Sequence, residues 1–249
     1  LMSGKSAVRV GGASGFWGDA SLAVPQLLAG GGLDYLVFDY LAEITMSITA
    51  RARAADSSKG YATDFVSAAM APNIEQIAAQ NIKVISNAGG VNPRACAEAL
   101  RDLIKDKGLA LKVAVVCGDD LAGRAGEFSQ AREMFSDQGF PPLDQIASIN
   151  AYLGAFPIAA ALNAGADIVI TGRCVDSAVT LGACIHAFDW SAGELDLLAQ
   201  GSLAGHLLEC GTQVTGGNFT DWDQVPNLTA AGYPIAVVSS DGSFGVSKA

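Results

Sequence analysis

The segment Ile82-Lys83-Val84-Ile85-Ser86-Asn87-Ala88-Gly89-Gly90-Val91-Asn92-Pro93 decides the predicted fold. Its first four residues are β-forming and mostly apolar, which predicts a buried strand at 82–85. A turn with two glycines follows. Asn92-Pro93 then predicts a helix start, because asparagine caps free N–H groups and proline suits the first helical position. Strand, turn and helix in this order predict one unit of a parallel sheet.

The same alternation continues along the whole chain. Further strands are predicted at 7–10, 35–38, 113–117 and 167–170. Helices are predicted before Gly30 and at 41–54, 63–80 in two pieces around Pro72, 92–107, 155–164, 176–186 and 191–210. The pattern predicts an α/β fold, a Rossmann-like three-layer sandwich with a mainly parallel sheet.

Two parts of the sequence depart from this alternation. Residues 118–150 are rich in glycine and charge, which predicts an excursion with short helices. Asp241-Gly242, between β-forming residues, predicts a hairpin at 235–249. Because the sequence stops at Ala249, early in the return strand, we expect residues 1–249 to be a single α/β domain whose C-terminal part is missing.

The amino-acid composition and charge argue against several classes of protein. Of the 249 residues, 50% are hydrophobic and 16% are charged, which excludes a disordered chain. The net charge of −10 disfavours nucleic acid and anionic membranes as partners. No apolar run approaches the ~18 residues of a membrane helix. Residues 1–12 lack the apolar region of a secretory signal, so we expect a cytoplasmic protein.

The number and spacing of cysteines and histidines limit the disulfides and metal sites that this chain could form. Five cysteines in no C-x-x-C arrangement, with only two histidines, argue against a disulfide framework and a histidine-rich metal site. We therefore predict no metal and no cofactor, although this count does not exclude a site made of carboxylates and water. Cys174 is expected to be a small buried residue, because neither histidine is near it in sequence to generate a thiolate.

The loop after the first strand reads Gly11-Gly12-Ala13-Ser14-Gly15-Phe16-Trp17-Gly18-Asp19. Its spaced glycines would let the backbone approach a phosphate at a helix start. Asp39 follows Gly18 by 21 residues, near the spacing of a ribose-binding acid in a dinucleotide fold. An oxidoreductase that binds a nicotinamide dinucleotide is therefore one alternative, although no tyrosine has a lysine four residues later.

Three other loops carry groups that could do chemistry. The glycines and amide of 87–92 could offer donors to an anionic oxygen, although Asn92 could be only a helix cap. Arg173 could pair with a carboxylate or phosphate, and Asp176 could cap a helix or act in catalysis. Glu43 follows Asp39 by four residues, so both acids could share a helical face. One of these two acids could be a base whose pKa is raised by burial.

Taken together, these loops resemble the acyclic terpene utilization protein A family, formerly a domain of unknown function. The resemblance rests on residues 11–19, 34–43, 87–93, 171–177 and 209–219, and so spans nearly the whole chain. It implies a role in the breakdown of acyclic terpenes such as citronellol and geraniol, or of related branched acids as coenzyme A thioesters. The activity that it suggests is a lyase releasing acetate from a 3-hydroxyglutaryl-CoA type intermediate.

A lyase or hydrolase of this kind needs a base, a carboxylate anchor and oxyanion donors. The candidates are Glu43 or Asp176 as base, Arg173 as anchor, and the amides of Gly89-Gly90 and Gly11-Gly12 as donors. The full set of expected ligand-binding residues is Gly11, Gly12, Ser14, Gly15, Asp39, Asn87, Gly89, Gly90 and Asn92. The expected partners are a small-molecule substrate and further copies of the chain, and a non-catalytic binding or assembly subunit is a further alternative.

Overall fold

A seven-stranded sheet forms the centre of the computed structural model, which describes residues 5–249. The strands are β1 (Ala7–Gly12), β2 (Tyr35–Phe38), β3 (Lys83–Ser86), β4 (Val113–Val116), β5 (Ile168–Thr171), β6 (Pro234–Ser239) and β7 (Phe244–Lys248). Their order is β4-β5-β3-β2-β1-β6-β7. The first five strands run parallel, while β6 and β7 pair antiparallel. The predicted mainly parallel sheet is confirmed.

Helices cover both faces of this sheet. They are α1 (Ala20–Gly30), α2 (Glu43–Ala55), α3 (Ile74–Ala79), α4 (Pro93–Asp106), α5 (Phe156–Asn163), α6 (Ala178–Phe188) and α7 (Leu195–Glu209). A π-helical segment, Phe65–Met70, precedes α3. Because side chains alternate along a strand, Leu36 and Phe38 face one core with α1 to α4, and Tyr35 and Val37 face a second core with α5 to α7. The three-layer α/β fold is thus confirmed.

The parallel strands bring five loops to one edge of the sheet. The chain runs from β1 to β2 and β3, crosses to β4, and returns to β5 between β4 and β3. The carboxyl ends of these strands therefore lie side by side. The loops that follow them include residues 13–19, 39–42, 87–92 and 172–177. This edge, called the carboxyl edge below, is where open α/β sheets bind ligands.

Three helix starts differ from the sequence prediction. Helix α2 begins at Glu43, so Asp39 is not helical, and the expectation that Asp39 and Glu43 share a helical face is wrong. Helix α6 begins at Ala178 after Ser177, so Asp176 does not cap it. Helix α7 begins at Leu195 rather than Ser191. The Asp39 carboxyl bonds to Asn87 and the Asp176 carboxyl bonds to Arg173, so neither caps the helix that follows it. The Glu194 carboxyl accepts the N–H of Ser191, and α7 begins one residue later.

The excursion between β4 and α5 folds back onto the carboxyl edge. It contains short 3-10 turns at Ala122–Phe128 and Leu143–Gln145. At its end, the N–H of Leu153 donates to the carbonyl of Arg173 over 3.3 Å, and the N–H of Val175 donates to the carbonyl of Leu153 over 2.9 Å. These bonds hold the neighbouring residue, Tyr152, beside the loop that follows β5.

Within residues 5–249, no helix combines the length and apolarity that a bilayer crossing requires. The expectation that residues 1–12 carry no secretory signal concerns in part residues 1–4, which lie outside the described residues.

Substitution of Gly205 tests the packing of α7 on the start of α6. A Cβ atom at Gly205 would lie 2.7 Å from the carbonyl oxygen of Ser177. We expect Gly205→Ala to lower the free energy of unfolding by roughly 1–3 kcal/mol through overpacking, although alanine is the better helix former. Gly193→Ala, where no atom lies within 4 Å, is the control. Equal urea midpoints for the two variants would contradict this packing.

Candidate functional site

Three carboxylates from separate parts of the chain meet at the carboxyl edge. Asp39 follows β2, Asp176 lies after β5, and Glu209 ends α7. One oxygen of each lies within 4.8 Å of the other two, and all three residues are half-buried. We call this group the acid cluster. The sequence indicated Asp39 and Asp176 but not Glu209, whose only signal was that it begins a glycine-containing polar segment.

Asp39 is the most perturbed acid of the cluster. Burial raises its pKa to about 7, a hydrogen bond from the Asn87 amide opposes the shift, and the charge of Asp176 adds to it. The oxygen of the Asn87 amide accepts the N–H of Tyr40 over 2.7 Å, which fixes the amide orientation. The Ser14 hydroxyl donates to the Asp39 carbonyl over 3.1 Å. The carboxyl is therefore held in place and can exchange a proton near neutral pH.

Glu209 is also shifted towards its protonated form. Burial raises its pKa, and the nearby charge of Asp176 raises it further. His206, one turn earlier on α7, lies with Nδ1 2.9 Å from Oε1 of Glu209 and lowers the pKa in part. The acid cluster thus contains two carboxyls whose environment favours the neutral form.

Arg173 supplies positive charge to the acid cluster. Its side chain is only 3% exposed, and one guanidinium nitrogen donates over 2.6 Å both to Asp176 and to the carbonyl of Cys174. The guanidinium carbon lies 3.9 Å from the ring centroid of Tyr152. A substrate carboxylate could reach this guanidinium only if Tyr152 moved. The geometry makes Arg173 a residue that positions Asp176.

Tyr152 contacts Arg173 on one side and bonds to Glu43 on the other. Its hydroxyl donates to Oε1 of Glu43 over 2.7 Å, and this bond lowers the pKa of the exposed Glu43 carboxyl. Of the two acids for which a raised pKa was considered, only Asp39 has one. Tyr152 was not indicated by the sequence, because it lies at the end of the excursion without any motif. A continuous set of contacts runs from Glu43 through Tyr152 and Arg173 to Asp176.

The glycine loop packs against the end of α7. Gly11 and Gly12 belong to β1, and a side chain at Gly12 would collide with the carbonyl of Leu208. A Cβ at Gly15 would collide with the backbone of Cys210, and the N–H of Gly15 already donates to Asp19 over 2.9 Å. Close helix packing therefore explains these glycines. No observation favours the dinucleotide alternative.

In the turn after β3, the backbone N–H groups of both glycines donate hydrogen bonds within the protein. The N–H of Gly89 donates to the carbonyl of Thr171 over 3.1 Å, and that of Gly90 donates to the Asn87 carbonyl over 3.3 Å. These two amides are therefore not free to bind an oxyanion. Asn92 caps α4 by accepting the N–H of Ala95 over 3.4 Å, as the alternative interpretation predicted.

A polar cavity of about 360 Å³ lies at the carboxyl edge, between the loops that follow β3 and β4. Its lining includes Arg53, Arg94, Asp119 and Asp120. Asp119 is buried and accepts the backbone N–H of Arg173 over 2.8 Å, which joins the cavity wall to the acid cluster. A second cavity, of about 170 Å³ and lined by residues such as Lys83, lies at the opposite edge of the sheet.

Within residues 5–249, the acid cluster is a group of carboxylates that could hold a metal ion. Three carboxylates at this separation suit a hard divalent cation. Arg173 already places positive charge beside Asp176, so protonation of one carboxyl is a second way to balance the charge. The absence of a metal requirement stays a prediction. Cys174 is buried, and burial raises the pKa of its thiol to about 12, as expected for a residue that is not a nucleophile.

The raised pKa of Asp39 makes stability depend on pH. An unfolded aspartate titrates near ~3.9, whereas the folded pKa of Asp39 is about 7, so folding favours the protonated carboxyl. Relative to Asp39→Asn, the wild type should be most stable below pH ~4 and should lose stability as the pH rises to about 7, by up to ~1.4 kcal/mol per pH unit. Urea unfolding across this range measures the difference.

The control for this experiment is Asp102→Asn, which changes an exposed aspartate on α4. It removes one surface carboxylate without touching the acid cluster, so it gives the offset that loss of a surface charge produces at each pH. The same offset for Asp39→Asn would show that Asp39 titrates normally in the folded protein.

A family model for the acyclic terpene utilisation family protein AtuA matches residues 8–249. Comparison with curated proteins gives no match, and comparison with solved structures gives none either. The matched range contains the acid cluster, Arg173 and Tyr152, and it confirms the resemblance seen in the sequence. Membership implies involvement in acyclic terpene utilisation. The chain belongs to the acyclic terpene utilisation family.

Proposed function

We propose that this protein is an enzyme that acts on a branched-chain acyl-CoA thioester in acyclic terpene breakdown, with Asp39 as its general base. The observation that carries the proposal is a carboxyl with a pKa of about 7, set among two further carboxylates at the carboxyl edge. A general base works best when its pKa lies near the working pH. Burial raises the pKa of Asp39 to about 7, which is near the pH of a cell interior or a neutral buffer.

The proposed reaction is an acetate-releasing lyase step on a 3-hydroxyglutaryl-CoA type substrate. Asp39 takes the proton of the tertiary hydroxyl, and that oxygen forms a carbonyl as the bond from its carbon to the carboxymethyl group breaks. The electron pair of this bond passes to the carboxymethyl carbon, which takes up a proton and leaves as acetate. The other product is a 3-oxoacyl-CoA. The proton that Asp39 removed balances the one that the leaving group gains.

The neighbouring residues have supporting parts in this proposal. Arg173 holds Asp176 in place, and the charge of Asp176 contributes to the raised pKa of Asp39. In the polar cavity, Arg94 offers positive charge to the phosphates of the thioester, while Arg53 already pairs with Asp120 over 3.2 Å. A hydrolase that activates water for attack on the thioester would use the same base, and its products would differ. The homo-oligomeric state and the cytoplasmic location stay predictions.

Replacement of Asp39 tests the proposed base directly. Asp39→Asn keeps the shape and the bond with Asn87 but cannot accept a proton, so kcat/KM should fall by about 10²–10⁴-fold. The assay is mass spectrometry of acetate and 3-oxoacyl-CoA formed from branched 3-hydroxyglutaryl-CoA esters. Asp102→Asn should retain wild-type activity. Turnover by Asp39→Asn equal to that of the wild type would remove Asp39 from the mechanism.

Replacement of Asp176 tests how the base is tuned. Because the base must be ionised, kcat/KM of the wild type should fall as the pH drops below about 7. Asp176→Asn removes a negative charge that raises the pKa of Asp39 and leaves the positive charge of Arg173 without its partner. Both changes lower the pKa of Asp39, so the acid limb of the pH profile should move to lower pH. A shift to higher pH would contradict the proposed coupling.

A further inference from the structure

The buried guanidinium of Arg173 has hydrogen-bond donors that the described part of the chain does not use. Its Nη1 atom donates over 2.6 Å to Asp176 and over 2.6 Å to the carbonyl of Cys174. Within residues 5–249, the guanidinium makes these two hydrogen bonds, and Nε is buried without a partner. Buried polar atoms are nearly always paired. Because Nε and Nη2 form an edge that can bind an anion with two parallel bonds, this edge suits an acidic ligand.

The ring of Tyr152 covers this guanidinium. The ring centroid lies 3.9 Å from the guanidinium carbon, so the ring extends over the bonds to the nitrogens. Arg173 is 3% exposed, whereas Tyr152 is 50% exposed. The ring therefore has one face on the guanidinium and much of its other surface in solvent. An anion reaches the guanidinium when the ring turns away from it.

The backbone around Tyr152 is held, so this movement is a rotation of the side chain. The N–H of Ala151 donates to the carbonyl of Asp119 over 2.8 Å, and that of Leu153 donates to the carbonyl of Arg173 over 3.3 Å. The carboxyl of Asp119 accepts the N–H of Arg173 over 2.8 Å. These bonds keep the backbone of both residues in place while the ring turns.

The hydroxyl of Tyr152 holds the ring in its covering position. It donates to Oε1 of Glu43 over 2.7 Å, and the Glu43 side chain is exposed. Because both groups reach solvent, water can replace this bond at little cost. Opening exchanges the bond to Glu43 and the stacking on Arg173 for an ion pair between Arg173 and the ligand.

We propose that the Nε–Nη2 edge of Arg173 binds the carboxylate of a small acidic ligand, and that Tyr152 is the displaceable cover of this subsite. The inference rests on the proposed function for the ligand, whose carboxylate is that of the carboxymethyl group that leaves as acetate. A singly charged carboxylate suits the place better than a phosphate, because the acid cluster repels a more negative group. Since Nη1 bonds to Asp176, a carboxylate on the other edge would lie beside the acid cluster.

Calorimetric titration with 3-hydroxyglutarate tests the subsite without the thioester and without turnover. Tyr152→Phe keeps the ring and the charge but loses the bond to Glu43, so the open state gains population and the dissociation constant should fall by about three- to tenfold. Arg173→Lys keeps the charge but cannot form two parallel bonds, so the dissociation constant should rise about tenfold or more, equivalent to ~1.4 kcal/mol. Inorganic phosphate should compete with 3-hydroxyglutarate only weakly.

Two controls separate the cover from other effects of substitution. Tyr61→Phe removes the hydroxyl of a tyrosine outside this network and should leave the dissociation constant unchanged. The effect of Tyr152→Phe should vanish when Glu43→Ala is already present, because the two residues share one bond. Circular dichroism establishes that each variant is folded.

Unchanged or weaker binding of 3-hydroxyglutarate by folded Tyr152→Phe would overturn the cover. No saturable binding to the wild type or to Tyr152→Phe would overturn the subsite, and phosphate that competes as well as 3-hydroxyglutarate would overturn its assignment to a carboxylate. Asp39→Asn should bind 3-hydroxyglutarate at least as strongly as the wild type, although the proposed function predicts loss of activity. The two proposals therefore fail separately.

Discussion

The contact between the glycine loop and the end of α7 is the constraint on which the candidate site depends. Gly12 and Gly15 have no Cβ, so the backbone at Leu208 and Cys210 can lie directly against them. Glu209 lies between those two residues and is carried to the carboxyl edge by the same contact. A methyl group at Gly15 would collide with backbone atoms that cannot move aside cheaply, which would separate Glu209 from Asp39.

Burial and charge balance together explain why the pKa of one acid of the cluster is raised to about 7. Three carboxylates share a small, partly dry space with a single guanidinium, and that guanidinium bonds to Asp176. Asp39 bonds instead to the neutral Asn87 amide, which lowers its pKa by less than burial raises it, and the charge of Asp176 raises the pKa further. Tyr152 covers Arg173 and bonds to Glu43, which keeps the guanidinium turned towards Asp176.

The glycine loop takes part in the site through hydrogen bonds of its own. The Ser14 hydroxyl donates to the carbonyl of Asp39 over 3.1 Å, and the Gly15 N–H donates to Asp19 over 2.9 Å. The backbone N–H of Tyr40, which follows Asp39, donates to the Asn87 amide oxygen over 2.7 Å. These bonds fix the backbone of Asp39 from both of its neighbouring loops. The glycine loop therefore has a part in the site without binding phosphate.

The sequence by itself determined the strands, most helices and the edge at which the loops meet, because periodicity and helix caps are local and parallel strands end on the same side. It also indicated Asp39, Asp176 and Arg173, which lie in loops that follow strands. Only the tertiary structure decided that Glu209 and Tyr152 join them, that the Gly89 amide is already bonded, and that Asp176 pairs with Arg173 instead of capping α6. These outcomes depend on contacts between segments far apart in the chain and on competition among partners for the same hydrogen bonds, which no local pattern encodes.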